Sequence, residues 1–166
     1  MRLFILSVIF SLSSLTAFPQ SWTLKDVDIY RSFDDFEHIL DTQNDTTYLV
    51  NFWATWCAPC VKELPHFEEI QKLSKGKKLK VVLVSLDFER QFESRLIPFL
   101  NKNKIASDVV VLLDKKESTW IDKVDPEWSG AIPITLVYKG EKRNFYEKSF
   151  HSTDELKSIL KPYLNI

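Results

Sequence analysis

Apolar residues fall into short unbroken runs and into stripes spaced by three and four, and the two patterns alternate along the chain. Trp22 to Tyr30 is a short mixed segment predicted as a first strand. Phe33, Phe36, Ile39 and Leu40 then repeat at helical spacing, which predicts an amphipathic helix capped by Ser32 or Asp34. Thr46 to Ala54 reads as a strand apolar enough to be central. From Cys57 to about Ser74 a helix offers Leu64, Phe67, Ile70, Gln71 and Leu73 as its inward face, with Lys72, Lys75 and Gly76 ending it. Leu79 to Phe88 is a second buried strand. Phe92, Leu96, Phe99 and Leu100 predict a helix over Gln91 to Lys104, Val109 to Leu113 a third strand, and Thr119 to Val124 one or two helical turns. Ile134 to Tyr138 and Arg143 to Lys148 form a hairpin around Lys139-Gly140, and Ser152 or Thr153 caps a final helix through Leu164. Strands separated by helices imply an α/β fold with a parallel core, to which the closing hairpin adds antiparallel strands on one side. The 166 residues show no repeat and no composition break, which suits a single domain.

The amino terminus departs from this pattern. Met1-Arg2, an apolar run from Leu3 to about Phe10 and a Ser-rich stretch to Ser21 have the form of a secretory signal peptide over residues 1–20. Processing is expected between residues 17 and 21: Ala17 is small enough to end the signal, while Leu15 is large for the position two before it. An uncleaved anchor is the competing reading, but the interrupted run is shorter than the ~20 residues that span a bilayer. The domain over residues 22–166 is then exported, and periplasmic in a Gram-negative source.

Charge removes some function classes. With 22 basic and 23 acidic residues there is no net field for nucleic acid or an anionic membrane, and no basic stretch is interleaved with aromatics. Only three glycines are present, and none forms a Gly-rich loop ahead of a helix to cradle a phosphate.

The two cysteines, Cys57 and Cys60, carry the candidate chemistry. A helix starting near Cys57 directs unpaired N–H groups and the positive end of its dipole at that sulfur, favouring the thiolate and making Cys57 the candidate nucleophile. Three residues of helix rotate by roughly 300°, so Cys60 returns to nearly the same face and can close a short disulfide with Cys57. A purely structural staple is disfavoured, because a two-residue loop restrains little unfolded-chain entropy. Metal binding is weaker still, since two cysteines are half a tetrahedral zinc site and His38, His66 and His151 show no ligand spacing.

Three separated motifs resemble the thioredoxin superfamily, and within it the exported TlpA/ResA-like thiol-disulfide oxidoreductases. They are Asn51-Phe-Trp-Ala-Thr-Trp-Cys-Ala-Pro-Cys60, Glu63-Leu64-Pro65, and Gly130-Ala-Ile-Pro-Ile-Thr-Leu-Val-Tyr138. The resemblance implies a thioredoxin-like fold, a kink of the active-site helix at Pro65 and a cis Ile132–Pro133 bond facing the cysteines. It also implies that Trp56, Ala58, Pro59, Ile132 and Pro133 contact substrate, with the Ile132 backbone open to strand-like pairing. Ordinary thioredoxin carries a buried aspartate at the position of Asn51, and an amide cannot move protons in its place. Glu63, one helical turn past Cys60, can raise that thiol's pKa and accept its proton. Phe33 to Leu40 looks like a thioredoxin-type first helix, where many TlpA/ResA-like members have a hairpin.

Together these readings describe an exported protein-disulfide reductase in which Cys57 attacks and Cys60, assisted by Glu63, resolves, with no cofactor or metal required. Its expected partners are disulfide-containing exported proteins, apocytochrome c among the candidates the family suggests, and a membrane dithiol donor. An oxidase or isomerase on the same scaffold is the alternative enzyme. A copper carrier using the cysteines as soft ligands is the alternative of another class, although such carriers usually show three residues between the cysteines and a later histidine.

Overall fold

The computed structural model describes residues 21–164; the signal-peptide expectation lies outside the described residues. Six strands form one mixed sheet: β1 Asp28–Tyr30, β2 Thr47–Trp53, β3 Leu79–Ser85, β4 Asp108–Leu112, β5 Ile134–Lys139 and β6 Lys142–Tyr146, in the order β1-β4-β3-β2-β5-β6. The first four are mutually parallel, and the β5–β6 hairpin lies antiparallel against β2. Among the described residues five α-helices accompany it: α1 Phe33–Phe36, α2 Ala58–Leu73, α3 Ile97–Lys102, α4 Glu117–Val124 and α5 Thr153–Leu160. The chain therefore has the thioredoxin-like architecture of a single domain.

Strand alternation divides the interior into two cores. On β2, Leu49 and Trp53 face one way and meet Leu64, Phe67 and Ile70 of α2, Phe92, Leu96 and Leu100 around α3, and Leu156 and Leu160 of α5. Val50 and Phe52 face the other way, toward Phe33 and Phe36 of α1 and Trp120 and Val124 of α4. Asn51 lies between Leu49 and Trp53, so the pleat sends its polar side chain to the α2 side of the sheet.

Several elements differ from their sequence expectations for identifiable reasons. The segment from Trp22 begins as a 3-10 turn over Leu24–Asp26, capped by Thr23, and only Asp28–Tyr30 pairs as a strand. Ser32 caps α1, but after Phe36 the helix tightens into a 3-10 turn over Glu37–Leu40. The expected helix over 91–104 is split into a 3-10 turn at Glu89–Gln91, a π-helical turn at Phe92–Leu96 and α3. Pro98 accounts for the break, since it has no N–H to donate to the Ser94 carbonyl four residues back, and Ile97 N–H bonds Phe92 instead. Ser152 caps the last helix, which ends at Leu160 and continues as turns.

Helix α2 is continuous through Pro65, which sits on its exposed side. Leu73 does not join the inward face. At about 100° per residue it lies roughly 120° from Phe67, the centre of the buried stripe, and it remains 46% exposed. Glu68 is buried instead, its carboxylate accepting Ala106 N–H at 2.7 Å and Ser107 N–H at 3.2 Å and so tying α2 to the turn before β4. Phe67→Ala is expected to lower unfolding stability in urea by about 3–5 kcal/mol. Leu73→Ala is expected to change it by no more than about 0.5 kcal/mol.

Candidate active site

Strand β2 ends at Trp53, and Ala54-Thr55-Trp56 turn the chain into α2, with Cys57 at the N-cap. A buried carboxylate holds this turn. Asp87, just past β3, accepts Thr55 N–H at 3.0 Å and the Thr55 hydroxyl at 2.5 Å, while Ser85 donates to it at 2.9 Å. Parallel pairing of β2 with β3 places Trp53 opposite Ser85, which is why the two loops meet.

Cys57 and Cys60 are joined in a disulfide with an S–S distance of 2.00 Å. The Cys57 sulfur accepts the Cys60 N–H at 3.3 Å, in the position where an N-cap oxygen would sit. Cys57 retains 6% of its surface and Cys60 none, so of the two residues Cys57 is the one that keeps contact with solvent. The Cys57 sulfur also lies 3.7 Å from the Ile132 carbonyl, a contact without a hydrogen in the oxidised state. The Ile132–Pro133 bond is cis. Trp56, Ala58 and Pro59 are exposed, Ile132 is half-buried, and Pro133 is buried beneath the loop. Trp128 packs against Phe52 and donates its indole N–H to the Ala131 carbonyl at 2.7 Å, bracing the proline loop from behind.

Glu63 is 1% exposed and sits one turn beyond Cys60 on α2. One carboxylate oxygen accepts Asn51 Nδ2 at 2.8 Å, and the other accepts the Phe150 backbone N–H at 2.8 Å. The same amide reaches Thr135 Oγ1 at 3.1 Å and the Ile134 carbonyl at 3.2 Å, linking the carboxylate to the strand that follows Pro133. Burial raises the Glu63 pKa from its ordinary 4.5 to about 7, outweighing the Phe150 and Asn51 hydrogen bonds that favour the ionised form. Glu63 can therefore both hold and release a proton near neutral pH.

Of the residues singled out from the sequence, Cys57, Cys60, Ile132 and Pro133 come together, and Trp56, Ala58 and Pro59 form their exposed rim. Asp87 and the Phe150 N–H were missed. The Ser85-Leu-Asp87 step at a strand end was the available signal for the first, whereas nothing local marks Phe150, which arrives from 87 residues away. Among the described residues no group of three or more His, Cys, Asp or Glu side chains assembles as a metal site, and no helix is long and apolar enough to cross a membrane.

Residues 29–100 match the family model named Thioredoxin. A thioredoxin of Rickettsia felis is 37% identical over 89 residues, 49% of this chain and 84% of that protein. Thiol-disulfide oxidoreductase ResA of Oceanobacillus iheyensis is 46% identical over 39 residues, which is 24% of this chain and only 20% of that protein. Among solved structures, a thioredoxin-related protein from Neisseria meningitidis serogroup B superposes with a TM-score of 0.61 at 22% identity, covering 74% of this chain and 87% of its own, a likeness of fold.

Because the folded protein binds the Glu63 proton more tightly than the unfolded chain does, its contribution is complete below about pH 4.5, falls as pH rises and is lost above about pH 7. The loss is on the order of 3 kcal/mol. Glu63→Gln is expected to abolish this part of the slope, read from urea unfolding of the oxidised protein between pH 4 and pH 8.

Proposed function

The chain belongs to the thioredoxin family, and on that premise we propose that it is an exported thiol-disulfide oxidoreductase that reduces disulfides in other exported proteins. The observation that carries the reading is a disulfide at the mouth of α2 whose more exposed residue is Cys57, with a buried carboxylate one turn past Cys60.

In the reduced enzyme the Cys57 thiolate attacks one substrate sulfur. An S–S bond forms between them while the substrate's own S–S bond breaks, and the departing sulfur takes the electron pair as a thiolate. Cys60 then gives its proton to ionised Glu63 and attacks the Cys57 sulfur. The mixed disulfide breaks, the second substrate sulfur leaves as a thiolate, and Cys57–Cys60 forms; two electrons have passed to the substrate. Glu63 accepts a proton without a prohibitive cost because its pKa of about 7 matches the working pH. Asn51, donating to one Glu63 oxygen, keeps the ionised form available inside the core.

The rim of Trp56, Ala58 and Pro59, together with the Ile132 backbone, receives the substrate chain. A membrane dithiol donor restores the reduced state, and no cofactor enters either step. The signal-like segment over residues 1–20 supports export, and reduction as the net direction follows the TlpA/ResA resemblance. Apocytochrome c remains a candidate client on that resemblance.

Three outcomes are expected. In a glutathione buffer poised near −220 mV the pair should sit mainly oxidised, as required of an electron donor; a mainly reduced pair would make the protein an oxidant. Cys60→Ser should accumulate mixed disulfides with insulin that Cys57→Ser does not form, detected by non-reducing electrophoresis; recovery of no adduct would remove Cys60 as the resolving group. The rate of mixed-disulfide resolution should rise through pH 7 and level off, whereas Glu63→Gln should be slower at pH 7 by about a hundredfold and lack that inflection.

A further inference from the structure

Asn51 is wholly buried, and its side-chain amide is crowded on one side and empty on the other. Nδ2 carries two hydrogens, yet three acceptors lie within reach of it: Glu63 at 2.8 Å, Thr135 Oγ1 at 3.1 Å and the Ile134 carbonyl at 3.2 Å. Oδ1, equally buried, accepts from no group among the described residues. A buried acceptor without a donor is costly, and native interiors seldom keep one without a second arrangement or a function that uses it.

The two forms of Glu63 supply the reason. Ionised, its carboxylate takes a donor on each oxygen, Asn51 on one and the Phe150 N–H on the other, and the amide is oriented correctly for it. Protonated, the group carries a hydrogen on one of two oxygens that both already face an N–H. A half-turn of the amide about its Cβ–Cγ bond removes the conflict. Oδ1 then accepts the Glu63 O–H, and the Thr135 hydroxyl, which can donate as well as accept, gives it a second hydrogen. Thr135 is the register partner of Asn51 across β2 and β5, so its side chain stays beside the amide in either orientation. The Ile134 carbonyl takes a hydrogen from Asn51 only while Nδ2 faces it. After the turn two oxygens oppose each other there, which disfavours the turned amide unless Glu63 brings a proton.

We propose that the Asn51 amide turns over with the protonation state of Glu63 and passes that state to the cis-proline loop through the carbonyl of Ile134. The proposal rests on the reading of Glu63 as acceptor of the Cys60 proton. Asn51 is then a positioning residue for both forms of the acid: it donates to the carboxylate before Cys60 gives up its proton and accepts from the carboxylic acid afterwards. The loop beside Cys57 is held by the amide while the mixed disulfide waits and is let go as the substrate leaves. The other groups around Glu63 do not compete for this role. Burial is the leading cause of its raised proton affinity, and no charged side chain contributes. On α2, Cys60 is locked in the disulfide and His66 meets Thr153 of α5 instead; Lys148 and His151, flanking Phe150, are exposed.

NMR of the oxidised wild-type protein, labelled with carbon-13 and nitrogen-15, tests the switch without any substrate. Between pH 5 and pH 9 the Asn51 side-chain NH2 signals should titrate together with the Glu63 carboxyl, with a midpoint near 7. Their nuclear Overhauser contacts to the Thr135 side chain should be present at pH 9 and lost at pH 5, and the Ile134 carbonyl carbon should shift with the same midpoint. In Glu63→Gln both pH dependences should vanish. Overhauser contacts that persist unchanged down to pH 5 in the wild type would overturn the proposal whether or not the variant folds. So would an Ile134 carbonyl that does not follow the carboxyl, or an Asn51 midpoint near 7 retained in Glu63→Gln. A carboxyl that titrates near 4.5 with the amide turning alongside it would support the switch while removing Glu63 as the Cys60 proton acceptor. Reduction of insulin tests the enzyme reading separately, since the spectra of the oxidised protein do not depend on turnover.

Discussion

A carboxylate inside the core, satisfied on both oxygens by donors from distant parts of the chain, is the constraint on which the site depends. Glu63 receives an amide from the central strand and a backbone N–H from the segment before α5. Removed from water, it holds a proton up to about pH 7. An unpaired buried charge would be costly, and a permanently neutral acid could not take a proton from a thiol. Two hydrogen bonds set against desolvation leave the group between those limits, where proton transfer in either direction is cheap.

The fold supplies that arrangement through elementary geometry. The pleat of β2 turns Asn51 to the same side as Leu49 and Trp53, where α2 packs. Along α2, one turn separates Cys60 from Glu63, and the N-cap places the Cys57 sulfur against the Cys60 N–H. Asp87 fixes the turn that joins these two elements, while the cis Ile132–Pro133 segment sets a carbonyl against the Cys57 sulfur. Sheet, helix and loops each contribute one distance. The stability of the Glu63 environment and the reactivity of the cysteines are therefore linked through shared neighbours.

The parallel core, the closing hairpin, the helix behind the cysteines and the pairing of Cys57 with Cys60 were legible in the chain, because each follows from local periodicity or spacing. Glu63 was recognised as a helical neighbour of Cys60. Its contact with Asn51 was not, although strand alternation and the α2 stripe together imply that the two side chains share a space. Less was visible where tertiary context overrides local pattern. Pro98 divides a stripe that reads as one helix, Leu73 has the right residue type at the wrong angle, and Glu68 is drawn inside by backbone donors from another loop. The Phe150 N–H and Glu63 come from segments far apart in the chain, which single-sequence periodicity does not relate.

The central claim, that burial and two hydrogen bonds hold Glu63 at a proton affinity suited to thiol chemistry, is open to direct observation. Carbon-13 NMR of the Glu63 side-chain carboxyl in the oxidised protein, followed from pH 3 to pH 9, should show a single titration with its midpoint near 7. A midpoint at the ordinary glutamate value near 4.5 would contradict the account, since Glu63 would then be ionised throughout the working range and could not take the Cys60 proton at low cost.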